Sequence, residues 1–133
     1  MTQEDKSLLL KDLSARLPYG VKMIDTEPYS AEHNPILTLS YISEDNCIGC
    51  RAGKGVMATS LGSIKPYLLP LSSMTEEQRQ ELESLMVVIT VPAWGKILSP
   101  TPEYYDWLNK NHFDYRGLIK KELAIDATGL DIY

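Results

Sequence analysis

Apolar residues near the start of the chain recur with the period of a helix. Leu9, Leu13 and Leu17 lie four residues apart, so they share one face of an α-helix. Thr2 precedes this pattern, and its hydroxyl can accept a free backbone N–H of the first turn. We therefore predict an amphipathic helix over residues 3–17. Its polar surface would consist of Lys6, Lys11, Asp12 and Arg16.

The middle of the chain alternates between apolar and polar residues, as a half-buried β-strand does. The clearest strand is residues 36–42, in which Leu37, Leu39 and Tyr41 share one face. Shorter candidates are residues 21–24, 47–52 and 56–59. Turn-forming residues separate the segments after residue 36, so we predict an antiparallel meander. Residues 25–35 contain two prolines and are predicted to form a loop.

Prolines mark the segment that follows the meander. Residues 63–71 are apolar but include Pro66 and Pro70. Because proline cannot donate a hydrogen bond to a β-ladder, we predict an extended surface segment or an edge strand.

A capping-box pattern predicts the next helix. Thr75 and Gln78 have the spacing in which each side chain bonds the other residue's backbone N–H. The inward stripe of this helix would be Leu82, Leu85, Met86 and Ile89. The β-branched residues within 87–91 leave a strand as the alternative for its end, because periodicity cannot separate the two over a short run.

A further helix start lies near residue 101. Thr101 precedes Pro102, and proline is favoured at the first helical position. The inward stripe would be Tyr104, Trp107, Leu108 and Asn111. Residues 113–116 break the pattern, and residues 118–123 are predicted to add a last helical turn or two.

Together these elements predict a single α+β domain over residues 1–133. It would consist of an N-terminal helix, a small antiparallel sheet of three or four strands, and C-terminal helices packed on one face. Strands grouped together and helices grouped together argue against a parallel sheet built from βαβ units.

Composition and charge narrow the class of partner. The chain has 44% hydrophobic residues, 23% charged residues and a net charge of −5. No segment is basic, which makes a nucleic-acid partner unlikely on electrostatic grounds. No apolar run approaches the roughly 20 residues of a membrane span, and the polar start does not resemble a secretory signal. We therefore expect a cytoplasmic protein that does not bind membranes.

A resemblance to a known group of proteins rests on three stretches of sequence. The most specific consists of Asp106-Trp107-Leu108-Asn109 and His112-Phe113-Asp114-Tyr115-Arg116-Gly117-Leu118-Ile119. The others are Leu17-Pro18-Tyr19-Gly20-Val21-Lys22 and Ile64-Lys65-Pro66-Tyr67-Leu68, running on to Ser72-Ser73-Met74-Thr75-Glu76-Glu77. In this order they resemble small uncharacterised proteins of phages and prophages of anaerobic gut bacteria. The resemblance implies a mobile-element origin and an α+β fold, but no activity and no site residues.

Cys47 and Cys50 form a C-x-x-C pair, which can hold half a zinc site or a redox disulfide. The sequence has no second C-x-x-C, and its two histidines lack zinc-ligand spacing. Residues three apart in a strand point to opposite faces, so two buried, inert cysteines are the favoured interpretation.

His112, Asp114 and Arg116 form the group richest in chemistry, because a histidine near a carboxylate can transfer protons. The favoured interpretation is structural. In it, His112 closes a helix, Asp114 pairs with Arg116, and the hydroxyl of buried Tyr115 is hydrogen-bonded.

Trp94 stands between turn residues and could be an exposed anchor for a partner or a cover for the edge of the core. Both interpretations stay open on the sequence alone.

The leading hypothesis is a non-enzymatic phage or prophage accessory protein that binds another protein, because no catalytic set is complete. One alternative is a small hydrolase-like enzyme that uses His112, Asp114 and Arg116. A second is a zinc-assisted binding protein that uses Cys47 and Cys50. The candidate binding residues are Trp94, His112, Asp114 and Arg116. We predict no catalytic residue, metal ligand or cofactor, and leave the oligomeric state open.

Overall fold

The computed structural model describes residues 1–27 and 36–133. The helices in these ranges are α1 (Gln3–Arg16), α2 (Glu76–Glu83) and α3 (Pro102–Lys110). The strands are β1 (Lys22–Asp25), β2 (Leu37–Ile42), β3 (Cys47–Ala52), β4 (Gly55–Ser60), β5 (Ile64–Pro70), β6 (Met86–Val91), β7 (Gly95–Pro100), β8 (Phe113–Asp114) and β9 (Ile125–Asp126). Most of the loop predicted over residues 25–35 lies outside the described residues.

The predicted N-terminal helix is confirmed, and its start is capped from both sides. Thr2 Oγ1 accepts the backbone N–H of Asp5, and the Asp5 carboxylate accepts the backbone N–H of Thr2, both over 3.1 Å. The helix gives way at Leu17 to a short 3-10 turn, and Gly20 reverses the chain with a φ of 65°. Glycine suits this position because it adopts positive φ without steric cost.

The main sheet has seven strands in the order β4-β3-β2-β1-β5-β8, with β9 also paired to β5. The β2–β3 and β3–β4 pairs are antiparallel, which confirms the meander predicted after residue 36. β1 also pairs antiparallel with β2 and with β5. β8 and β9 instead run parallel to β5. The sheet is therefore mixed.

The predicted fold class is wrong in the size of the sheet, in its pairing and in the helices. Instead of three or four antiparallel strands covered by C-terminal helices, the chain has a seven-stranded mixed sheet, a separate two-stranded sheet and short later helices. β8 and β9 have two residues each, which is too short for a period to be visible in the sequence.

The prediction of an edge strand at residues 63–71 is also wrong. β5 lies between β1 and β8 and is an internal strand of the sheet. Pro66 stands opposite Met23 of β1, whereas the parallel partner β9 pairs only from Tyr67 onward. Pro66 is thus paired in the antiparallel ladder with β1 and Pro70 in the parallel ladder with β8, so neither proline confines this strand to an edge.

The ambiguity over the end of the second helix is resolved in favour of a strand. Thr75 and Gln78 form the predicted capping box, but α2 ends at Glu83. Met86, predicted on the inward stripe of the helix, instead begins β6. The β-branched residues of this segment therefore form a strand rather than a third helical turn.

The helix predicted from Thr101 is confirmed as α3, but the last helical turns are not. Residues 118–123 form only hydrogen-bonded turns. Glu122 has a φ of 61°, and Leu123 donates its N–H to Leu118 O, so the chain reverses after one turn.

The core divides into a large part and a small part. The large part joins α1 to the sheet and consists of residues such as Leu9, Leu13, Met23, Ile48 and Leu68. The small part lies under α2 and α3 and is formed by Leu82, Leu108 and Phe113. Among the described residues, no helix is both long and apolar enough to cross a lipid bilayer.

Candidate functional site

The three polar residues predicted to form a site have three separate sets of partners. Asp114 is buried, and its two carboxylate oxygens accept the backbone N–H groups of Leu118 and Ile119, both over 2.9 Å. Asp114 thus fixes the turn that follows β8 and does not pair with Arg116 as predicted. A carboxylate with both oxygens bonded in this way has a structural role.

Arg116 pairs instead with Asp12 of α1, with 2.9 Å between Arg116 Nη1 and Asp12 Oδ1. Its guanidinium also lies over the ring of Tyr115, 4.5 Å from the centroid. The hydroxyl of Tyr115 donates a hydrogen bond to Asn109 Oδ1 over 3.0 Å, which confirms the prediction that this hydroxyl is hydrogen-bonded. This arrangement joins α1 to the chain that follows α3.

Asp12 and Arg16, predicted to lie on the polar surface of α1, are both fully buried. Arg16 Nη2 donates to the backbone oxygen of Phe113 over 2.6 Å, while Arg16 Nη1 has no hydrogen-bond partner among the described residues. Nothing local in the sequence reveals this, because the partners are about a hundred residues away. The pair connects the first helix to β8.

His112 follows α3 with a φ of 64°, and its ring stacks on Tyr133, with the centroids 3.6 Å apart. Burial, and then the charges of Arg16 and Lys22, lower the pKa of His112 from 6.5 to about 4. The ring is therefore neutral at pH 7. Its Nδ1 has no hydrogen-bond partner among the described residues.

Tyr133 completes this region from the end of the described chain. Its hydroxyl donates to Tyr67 O and accepts the backbone N–H of Lys22, both over 2.8 Å. Although 43% of Tyr133 is exposed, partial burial raises its pKa to about 12, so the phenol stays protonated. Asp114 and Arg116 thus have hydrogen-bonded protein partners and His112 stacks on Tyr133, so the three residues connect elements of the fold and do not converge on one site.

The two cysteines lie three residues apart on β3. Cys47 stands opposite Ser60 and Cys50 opposite Met57 of β4, so their side chains leave opposite faces of the strand. Cys50 is buried, and burial raises the pKa of its thiol. In the part of the chain that the structure describes, no group of three or more His, Cys, Asp or Glu residues could hold a metal ion.

Trp94 has a different setting, at the tip of a hairpin formed by β6 and β7. The Met86–Pro100 hairpin forms a two-stranded sheet separate from the main one. Its turn is closed by the Trp94 N–H, which donates to Val91 O over 3.0 Å. Pro92 provides the fixed φ of a turn's second position, and Gly95 provides the positive φ of 79° that returns the chain to β7.

Both faces of this hairpin are exposed. Only Met86, Val91 and Ser99 are half-buried, and no residue of either strand is buried. Pairing of Val88 with Leu98 and of Ile89 with Ile97 assigns the side chains to faces. The Val88 face consists of Met86, Val88, Thr90, Lys96, Leu98 and Pro100. The Ile89 face consists of Val87, Ile89, Val91, Gly95, Ile97 and Ser99.

Exposed apolar side chains are concentrated here. Of the fourteen large hydrophobic residues that are exposed in residues 1–27 and 36–133, six lie in this hairpin. They are Val87, Val88, Ile89, Trp94, Ile97 and Leu98. Trp94 is 79% exposed, which excludes the interpretation that it covers the core. These side chains lie on both faces of the hairpin and at its turn, and such a concentration of exposed apolar surface marks an interaction surface in a folded protein.

A groove of about 250 Å³ opens at the base of the hairpin. Its apolar lining consists of Leu71, Met74, Leu82, Met86 and Tyr104, and its polar lining consists of Arg79 and Glu83. Met86 belongs to the Val88 face, so that face leads from the tip of the hairpin into the groove.

The sequence indicated Trp94, with Ile97 and Leu98 near it, as a possible exposed anchor, but Val87, Val88 and Ile89 were not recognised as part of the same surface. The signal was present, because a β-branched run, a Pro-Ala-Trp-Gly turn and a second apolar pair indicate a hairpin. What the pattern could not show is that neither face of this hairpin meets the core.

Comparison with protein-family models, with curated proteins and with solved structures gave no match to this chain.

Proposed function

We propose that this chain is a non-enzymatic protein-binding module whose contact surface is the Met86–Pro100 hairpin. The observation that carries the proposal is the set of six exposed apolar side chains on that hairpin. The resemblance at residues 106–119 supports a phage or prophage accessory protein as the setting, and the partner would be another protein.

The exposure of these side chains gives binding its driving force. Removing apolar surface from water contributes roughly 25 cal/mol per Å², so each large side chain covered by a partner contributes about 1 kcal/mol or more. Trp94 provides the largest single area, and tryptophan at the centre of a contact commonly dominates its energy. The hairpin therefore has the composition of a binding surface.

The backbone of the hairpin provides a second mode of binding. Each strand of a two-stranded sheet is an edge strand, with a row of free N–H and C=O groups along its outer side. An extended segment of a partner could pair with either edge, which is a common mode of peptide recognition. An isolated hairpin is only marginally stable, so a partner would also order it.

The test is affinity capture, with the purified chain as bait in host lysate from cells with and without phage infection. Binding is then measured between the purified chain and the purified captured protein. We expect one stoichiometric partner, with recovery reduced at least tenfold for Val88→Ser, Ile89→Ser and Trp94→Ser.

Val56→Ser is the matched control. Val56 is 66% exposed on β4 and Val88 is 62% exposed on β6, so both changes remove an exposed valine from a strand. Recovery unchanged in all three hairpin variants would overturn the proposal.

A further inference from the structure

We infer that the Val88 face is occupied by the same face of a second copy of this chain, in a two-fold symmetric dimer with the two hairpins antiparallel. This inference deepens the proposed function and rests on it in one respect, namely that the hairpin is a surface for protein. The register of the hairpin, the groove at its base and its charges all favour this arrangement.

The register places complementary parts of two copies opposite each other. A two-fold axis at the Val88–Leu98 pair brings the Thr90–Lys96 pair of one copy over the Met86–Pro100 pair of the other. Strand residues advance about 3.3 Å each, so the tip of the hairpin then extends past the second copy's Met86. The groove lies at that place.

The groove has the size and lining for the tip. A volume of about 250 Å³ between Leu71, Met74, Leu82 and Tyr104 accommodates the ring of Trp94 from a second copy. Methionine adapts its shape and contacts aromatic rings favourably through sulfur, and Met74 supplies one at this position. A symmetric contact would fill both grooves.

The charges agree with this arrangement. The Val88 face carries one charged residue, Lys96, and no acidic residue. Helix α2, at the base of the hairpin, carries four glutamates and one arginine. Glu83 and Arg79 both line the groove, and Arg79 already pairs with Glu76 over 3.8 Å. The antiparallel arrangement brings Lys96 of each copy toward Glu83 of the other, so two unlike pairs form about the axis.

The available area fits a dimer of moderate strength. Trp94, Val88, Leu98 and the groove offer on the order of 600 Å² per copy, which reaches the lower end of specific interfaces when both copies are counted. Because contacts of this size are typical of weak, transient complexes, we expect a concentration-dependent dimer with a dissociation constant on the order of 1–100 µM.

Sedimentation equilibrium of the full chain tests the inference, over concentrations from about 1 to 300 µM chosen to bracket that range. We expect a monomer–dimer equilibrium whose dissociation constant rises at least tenfold for Leu98→Ser and Trp94→Ser. The dissociation constant should change less than twofold in two control variants, Ile89→Ser on the opposite face and Val56→Ser on β4. Circular dichroism of each variant verifies that the fold is kept.

A charge exchange makes the test specific for the antiparallel arrangement. Lys96→Glu and Glu83→Lys should each weaken the dimer, and the chain with both changes should recover its strength. Failure of the double variant to recover would overturn the arrangement.

A monomer at all concentrations would overturn the inference. If capture from lysate still depends on Val88 in that case, the occupant of the Val88 face is another protein, and the proposed function holds without the dimer. If capture is also unaffected by the change at Val88, both the dimer and the proposed function are wrong. A dimer unaffected by the Val88-face variants, or a monomer that binds phosphatidylcholine vesicles through Trp94, would equally overturn it.

Discussion

Asp12 and Arg16, four residues apart on α1, form an ion pair in which both side chains are fully buried. Arg16 Nε donates to Asp12 Oδ2 over 2.8 Å, and Arg16 Nη2 donates to Oδ1 over 3.1 Å. Arg116 donates to the same Oδ1. The Asp12 carboxylate therefore balances the charges of two guanidinium groups, and the stability of this cluster depends on Asp12.

The change Asp12→Asn should lower the free energy of unfolding by about 3–5 kcal/mol, because it leaves Arg16 buried without a counter-ion. Urea unfolding followed by circular dichroism measures this loss. Asp106→Asn, at an exposed position on α3, is the control and should cost less than about 0.5 kcal/mol. Equal losses for the two variants would contradict the role assigned to Asp12.

Stability should fall with acid through His112. The folded pKa of about 4 lies below the ordinary value of 6.5, so between these pH values the unfolded chain binds a proton that the folded chain does not. The contribution of neutral His112 to the free energy of unfolding is complete above pH 6.5 and declines as the pH falls toward 4. It amounts to about 2–3 kcal/mol after allowing for the partial exposure of the ring.

The measurement is urea unfolding from pH 4 to 7.5 for the wild type and His112→Asn. Asparagine is chosen because it tolerates the positive φ of 64° at this position. We expect the stability advantage of the wild type to shrink toward pH 4. An advantage independent of pH would show that His112 does not titrate as described.

The hydroxyl of Tyr133 should contribute to stability through its two backbone partners. Tyr133→Phe leaves the N–H of Lys22 and the carbonyl of Tyr67 without this hydrogen bond, at a cost of about 1–3 kcal/mol. Tyr105→Phe is the matched control, because both tyrosines are 43% exposed. The midpoint of thermal unfolding should be lower for Tyr133→Phe than for Tyr105→Phe. Equal midpoints for the two variants would contradict the prediction.

Gly49 should be intolerant of a side chain because Tyr41, its partner across β2 and β3, lies over it. A Cβ at Gly49 would overlap the ring of Tyr41. Gly49→Ala should therefore cost about 1–3 kcal/mol, since the ring must move. Gly62→Ala, where a Cβ meets nothing within 4 Å, is the control for urea unfolding.

The same overlap can be tested by removing the ring. In a Tyr41→Ala background, Gly49→Ala should lose most of its penalty, because the two residues act as a coupled pair. A penalty that persists without the ring would place its cause in the backbone of β3.

Local signals allowed much of the fold to be predicted. Thr2, Thr75 and Thr101 each cap a helix as their spacing indicated, because a cap involves residues within four positions. The meander of β2, β3 and β4 was equally visible, since each strand pairs with its neighbour in sequence. Short-range chemistry determines these elements.

Long-range pairing accounts for what could not be predicted. β8 and β9 exist as strands only because they meet β5, and two residues carry no recognisable period. Asp12 and Arg16 have the spacing of a surface pair and are buried only because Phe113 and Arg116 pack on them. For the candidate site, the sequence indicated Trp94, whereas the exposure of Val88 and Leu98 depends on how the hairpin projects.

The position of β5 between early and late strands has a consequence for synthesis on the ribosome. β1 can pair with β5 as soon as residue 70 has emerged, but the parallel partners follow only with residues 113–126. During that interval one side of β5 has no partner, and a nascent chain exposes it to neighbouring chains. Emergence of residues 113–133 thus completes the sheet, and the hydrogen bond from Tyr133 to Tyr67 holds this segment on β5.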